Sequence, residues 1–304
     1  MRILKLILSV VLGVVLLNLA AKADDDKPGV VTVVRLHGSA DYSLDGGTTW
    51  TPVVVGKFLN PGTLLRTGEK STVDILVGQS PSDRRLATLA IRKDIQTSRN
   101  VIPYQENNMI RLRPNTTLGV DKLLVSSADP RQVSDAVLDL KKGRILASVR
   151  KVSPSSEYFV KIPNGVAAVR GTQFELDTDG SGSSCQVVSG TVWISFTVTD
   201  ANGNPVTGPN GQPLPPITVT IAPGQSFNLT SALESQLAAE VAQAGNAADL
   251  QNIMNQITTL ATGAVTAVES GSLTSLMSII TTLNTSTITI LAVDNGIPPS
   301  MTHQ

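Results

Sequence analysis

The chain has 304 residues, of which 41% are apolar, 16% charged and only 3% aromatic, with 24 Lys+Arg against 24 Asp+Glu. That length is enough for one large domain or two modest ones with a real core. The charge balance removes the electrostatic basis for nucleic-acid binding, and a single cysteine, Cys185, excludes an intrachain disulfide.

Residues Met1 to Lys5 are basic, Leu6 to Ala20 are apolar, and Ala21-Lys22-Ala23 precedes Asp24-Asp25-Asp26. A basic start, a short apolar run and an A-x-A site predict a signal peptide over 1–23. The apolar run is short for a bilayer span of about 20 residues. The expectation is a mildly acidic mature chain, periplasmic or secreted, with no stable membrane span after cleavage.

Residues 30–230 predict a mainly β domain. "VVTVVRLHGSADYSL" reads as a strand pair, Asp45-Gly46-Gly47 as a tight turn, and Asn60-Pro61-Gly62 as another, followed by strands in "TLLRTG" and "STVDILVG". "NMIRLRPNTTLGV" alternates, "AVLDLKKGRILASVRKV" offers two strands about Lys142-Gly143, and "SEYFVKIP" adds another. Asn115-Thr116-Thr117 also fits the N-glycosylation pattern. Many short strands with Gly or Pro at their junctions predict a jelly roll or β-sandwich, with a β-helix as the rival. Between 79 and 108 the alternation weakens around Arg84, Arg85, Arg92, Lys93 and Arg99, which predicts a loop-rich insertion. Two Asn-Gly pairs and several prolines predict a flexible loop over 200–216, after which "ITVTIAPGQSFNL" supplies two last strands about Pro223-Gly224.

Residues 231–304 change character and predict a smaller, partly helical C-terminal region rich in Ala, Gln and Thr. Leu233, Leu237, Val241, Leu250, Ile253 and Ile257 fall in helical register, and Ser231 with Glu234 has capping-box spacing. The stretch from Ser272 to Val293 is ambiguous between helix and strand.

Candidate chemistry is sparse. His37 and His303 are the only histidines, so neither a cysteine–histidine pair nor a zinc site is expected, and no cofactor is predicted. Cys185 reads as a half-buried or edge thiol. Asp177 and Asp179, and likewise Asp200 and Asn202, begin like calcium loops but lack the later bidentate glutamate. Ordinary turns explain both. A secreted enzyme on a jelly-roll scaffold, carbohydrate-active in the best case, is the alternative to a non-catalytic binding module.

One stretch, "GVAAVRGTQFEL" from Gly165 to Leu176, interrupts an apolar run with Arg170 and Gly171. Gly171 allows a bulge or bend. Arg170, with Thr172 beside it, is expected to clamp bare carbonyls at that bend, in preference to binding a ligand. Together with Gly62, Leu65, Arg66, Thr67 and Gly68, and with Pro163, Phe174, Gly190 and Val192, this stretch resembles the FecR family over about 30–229. The resemblance implies a β-rich module that senses or relays a signal outside the inner membrane; the expected partner is an envelope protein or a polysaccharide. Classical members of the family carry a cytoplasmic anti-sigma segment, for which the few residues before the apolar run leave no room.

Overall fold

The computed structural model describes residues 26–79, 108–126, 133–150, 156–163, 165–179, 182–200, 202, 204–208, 211–243 and 250–285. The expected signal peptide, the basic insertion and the end of the tail lie outside them.

Sixteen strands form one hydrogen-bonded sheet that folds over into two layers. The first layer runs from β4 (Thr51–Pro52) through β3 (Ala40–Ser43), β6 (Leu64–Thr67) and β9 (Thr117–Val125), the last also paired with β1 (Lys27–Pro28). It continues through the first half of β10 (Val133–Ser148), β11 (Glu157–Ile162), the first half of β12 (Gly165–Thr178), the second half of β13 (Gly182–Phe196) and β14 (Ile217–Ile221). The second layer joins β5 (Phe58–Leu59), β2 (Val30–His37), β7 (Thr72–Gln79), β8 (Asn108–Leu112), the remaining halves of β10, β12 and β13, then β15 (Gln225–Thr230) and β16 (Val265–Ala267). The sandwich expectation is met by this arrangement.

Three long strands thus belong to both layers. Where two separate strands were expected around Lys142-Gly143, β10 is a single strand that changes partners there: β9 and β11 before, β8 and β12 after. "VVTVVRLHGSADYSL" does form two strands, but β2 pairs with β5 and β7 while β3 pairs with β4 and β6. The Pro223-Gly224 junction is likewise a crossing between layers, since β14 and β15 pair with opposite halves of β13.

Alternation along each strand sends one apolar row inward. Leu118, Leu138, Val160, Ala167 and Ile194 from the first layer meet Ile75, Ile110, Ile145, Phe174 and Cys185 from the second in one core. Phe196 and Phe227 join the layers with ring centroids 5.8 Å apart. Cys185 is completely buried in this core, not at an edge, because its row faces inward between Leu176 and Phe227.

The described helices of the C-terminal region pack against the β-layers. Helix α1 (Ser231–Gln243) and helix α2 (Leu250–Gly263) insert Leu237, Val241, Ile253, Ile257 and Ala261 into the same core beside β14 and β15. The hydroxyl of Thr230, not the expected Ser231, caps α1 by accepting the Leu233 N–H at 3.1 Å. The ambiguous last stretch is helical as far as Thr285, in α3 (Ser270–Thr285), which lies on the outside of the second layer. There Leu276 and Ile280 cover Leu146, and Leu283 covers Val34, Leu76 and Met109. Nor is 200–216 free of structure. The backbone bridges Thr199–Pro205 and Thr207–Pro213 stack that segment, and Leu214 enters the core. Pro205 and Pro213 take part in these bridges, while Val206 and Leu214 anchor the segment.

Shared burial predicts shared melting. Ile257→Ala should lower stability by about 2–5 kcal/mol, the range for deleting a buried aliphatic side chain. Urea unfolding followed by far-UV dichroism and tryptophan emission should give one coincident transition. Separate transitions for helices and strands would show that the helices fold independently of the sandwich.

Candidate functional site

The residues of the two sequence motifs gather at the corners where chain passes between layers. Gly62 closes the turn before β6, its N–H donating to the Val120 carbonyl at 2.7 Å. Thr67 ends β6 with its hydroxyl buried: it donates to the Arg113 carbonyl at 2.6 Å and accepts the Thr116 N–H at 2.9 Å. The Gly68 N–H meets the Ser39 carbonyl at 2.9 Å. Thr116 repeats the device one strand further on. Its hydroxyl donates to the Arg144 carbonyl at 3.1 Å and accepts the Arg144 N–H at 3.0 Å, where β10 changes layer. Sequence reasoning passed over Thr116, whose glycosylation-like setting drew attention to Asn115 instead. The burial of that threonine leaves no trace in a polar turn.

A second corner holds the opening motif. Gly171 and Thr172 on β12 stand against Gly190 alone on β13, so the register slips between Arg170↔Thr191 and Gln173↔Ser189. This is a β-bulge. Gly190 has φ +78°, and a Cβ there would lie 2.4 Å from the Gly171 carbonyl oxygen, so no larger residue fits. Thr172 is fully buried, accepts the Arg170 N–H at 3.1 Å and donates to the Thr191 carbonyl at 3.1 Å. Its carbonyl also receives the Val149 N–H at 2.9 Å. Phe174 then returns to the core, and Pro163 sits exposed in the turn before β12. The Arg170 guanidinium is exposed and has no hydrogen bond or ion pair among the described residues. The corner is locked by the threonine hydroxyl, and the arginine stands outside it.

Arg66 is also outward. It lies 4.0 Å from the Trp50 ring centroid and 3.0 Å from Asp41. Trp50 is held by its indole N–H on the Gly47 carbonyl at 2.9 Å. Asp45 organises that turn by accepting from the Thr49 N–H, the Thr49 hydroxyl and the Ser43 hydroxyl, which together hold its carboxyl well below the usual range.

The calcium candidates are otherwise engaged. Asp177 takes the Arg144 guanidinium at 2.6 Å, and Asp200 accepts the N–H groups of Asn202 and Asn204, both at 2.8 Å, in an Asx turn. No group of three His, Cys, Asp or Glu capable of holding a metal occurs among the described residues. Asp177 and Asp179, with Arg113, Lys142 and Arg144, line a cleft of about 670 Å³ at the end of β12 and the mid-strand corner of β10. Glu175 lies beside it, 3.7 Å from Arg144; burial pushes its carboxyl up, while Arg144 and Arg113 pull it partly back.

The outward face of the first layer is the other candidate surface. One row of directly opposed residues crosses six strands: Lys122, Val137, Phe159, Ala168, Trp193 and Thr220. Trp193 is 38% exposed and Phe159 half-buried. On one side of this row Lys161 bridges Asp121 at 2.9 Å and Asp139 at 3.7 Å, and the hydroxyls of Ser195 and Thr218 meet at 2.7 Å. Arg170 and Thr191 stand on the other side.

These features define a two-layer β-sandwich with hydroxyl-locked corners and one open face. The model of the FecR protein family matches residues 93–193, which include β8 to β12 and most of β13. No curated protein matches the chain. Two crystal structures of a candidate anti-sigma factor from Parabacteroides distasonis, at 1.65 and 2.50 Å resolution, are similar to it at 10% identity with TM-scores of 0.28. They cover 41% and 52% of this chain and 47% and 55% of their own. The chain therefore spans about half the length of those structures.

The corner and the cleft each carry an expected outcome. Thr172→Val strands the Arg170 N–H and the Thr191 carbonyl and should cost about 1–3 kcal/mol, whereas Arg170→Ala should stay within about 0.5 kcal/mol. Equal losses in urea titration would return the clamp to Arg170. Glu175 binds its proton more tightly folded than unfolded. Its contribution is complete below the ordinary value of 4.5 and is lost as pH rises through the raised folded value. Glu175→Gln should therefore be more stable than the parent near neutral pH and lose that advantage in acid; a constant difference across the pH range would contradict the assignment.

Proposed function

We propose that the chain is an exported, non-catalytic binding module that senses or relays a signal in the bacterial envelope. The observation that carries this reading is the open face of the first layer. It is broad and displays two aromatic rings in register, and its charges are largely neutralised in pairs: Lys161 with Asp121, Lys122 with Asp135, Lys141 with Asp139. Compensated charge around an apolar row suits a contact surface.

The match of residues 93–193 to the FecR family model supports the sensing role, and the A-x-A site before Asp24 supports export. Among the described residues, no helix is long and apolar enough to cross a membrane. The partner in this reading is an envelope protein or a polysaccharide.

Export is tested by expressing the full chain in a Gram-negative host, fractionating the cells and sequencing the N-terminus of the recovered protein. The expected product is periplasmic or in the medium and begins at Asp24. Recovery of a cytoplasmic or membrane-bound chain that starts at Met1 would overturn the reading.

A further inference from the structure

The open face has a chemistry of its own. Neighbouring strands lie about 4.8 Å apart, so the two inter-strand steps from β11 to β13 place Phe159 and Trp193 about 10 Å apart along the row. Ala168 lies directly between them and pairs with both, so its single methyl leaves a shallow shelf between two rings. Val137 extends the strip beyond Phe159. The strip runs across the strands through successive pairings, which suits an extended chain rather than a compact small molecule.

Charge narrows the class of that chain. Asp121, Asp135, Asp139 and Glu157 on this face are balanced by Lys122, Lys141, Lys161 and Arg170. Neither a polyanion nor a polycation gains from long-range attraction to such a surface. What the face offers is apolar rings along a central line, with hydroxyl, carboxylate and guanidinium groups on its flanks. A pyranose is the matching shape. Its C–H face carries slightly positive hydrogens that meet the negative face of an aromatic ring, while its equatorial hydroxyls point outward as both donors and acceptors. Ser195 and Thr218, Asp139 and Lys161 on one flank, and Arg170 and Thr191 on the other, are placed to receive them. The separation of the two rings is about that of alternate sugars in a β-linked chain.

We propose that the row Val137–Phe159–Ala168–Trp193 is a binding platform for a neutral, β-linked glycan chain. This rests on the binding-module reading and names the ligand class of its open face. Arg170 thereby becomes a flanking hydrogen-bond donor to sugar hydroxyls.

The test uses the mature chain from Asp24 with cellohexaose, xylohexaose and chitohexaose as probes in isothermal titration, and with the corresponding soluble polymers in affinity electrophoresis. Binding of at least one probe is expected. Trp193→Ala and Phe159→Ala should each weaken it at least about tenfold, the loss of one stacked ring, and Ala168→Gln should do the same by filling the shelf. Leu44→Ala, at an exposed residue away from the row, should leave it unchanged. Thermal melts check that each variant is folded, and Ala168→Gln keeps both rings should either aromatic variant fail. Failure of the parent chain to bind any probe, or equal binding by the row variants, would overturn the platform. A photo-crosslinker at position 193 in living cells separates the two readings: capture of an envelope protein there sinks the glycan proposal and leaves the binding module standing.

Discussion

The buried hydroxyls of Thr67, Thr116 and Thr172 decide whether one ribbon can serve two layers. A strand that turns out of its own sheet leaves an N–H and a carbonyl that the next strand no longer reaches. In a dry core each such group costs free energy unless it finds a partner. A threonine hydroxyl both donates and accepts, so a single side chain can satisfy both sides of the break. Each of the three does so, with distances between 2.6 and 3.1 Å. Because these corners hold, β10, β12 and β13 can run through both layers and weld them into one core.

The two outer faces have unlike fates. The second layer buries Asp74 between Arg35 and Arg111 and carries α3 across its remaining apolar residues. The first layer leaves Trp193 exposed and Phe159 half-buried on its outer face. Both faces are built from the same alternating strands, so the difference lies in the chain beyond β15: a helix with Leu276, Ile280 and Leu283 on one side covers one face only. A helix-covered face and an uncovered face are thereby kept on opposite sides of a shared core.

Strand alternation was legible because period-two burial imprints directly on sequence, and β7, β8, β9 and β11 fall where "STVDILVG", "NMIRLRPNTTLGV" and "SEYFVKIP" place them. Partner choice was not. Nothing in "VVTVVRLHGSADYSL" tells that its strands join different layers, since pairing is fixed by residues far along the chain. The same holds for the C-terminal helices, whose stripe of Leu237, Val241, Ile253 and Ile257 announces a helix face but not the core that receives it. Arg170 stood out in its motif as the charge that interrupts an apolar run, and its chemistry suggested a clamp. The neighbour that does the clamping is a small residue of ordinary appearance. Thr116 was less visible still. The row across the open face combines single residues from six strands, so no window of sequence contains it.

Cys185 sits at 0% exposure between the layers, and burial pushes its thiol well above the ordinary range. Thiolate is the reactive form, so in the folded state this sulfur is silent toward disulfides, oxidants and alkylating reagents alike. Its reactivity can be recovered only by parting the sheets. Under oxidising conditions the folded chain would therefore react as if cysteine-free, and any mixed disulfide or alkylated product would be a fossil of an opened molecule. Labelling kinetics at this one atom would count openings of the sandwich, a built-in clock for how often the two layers separate.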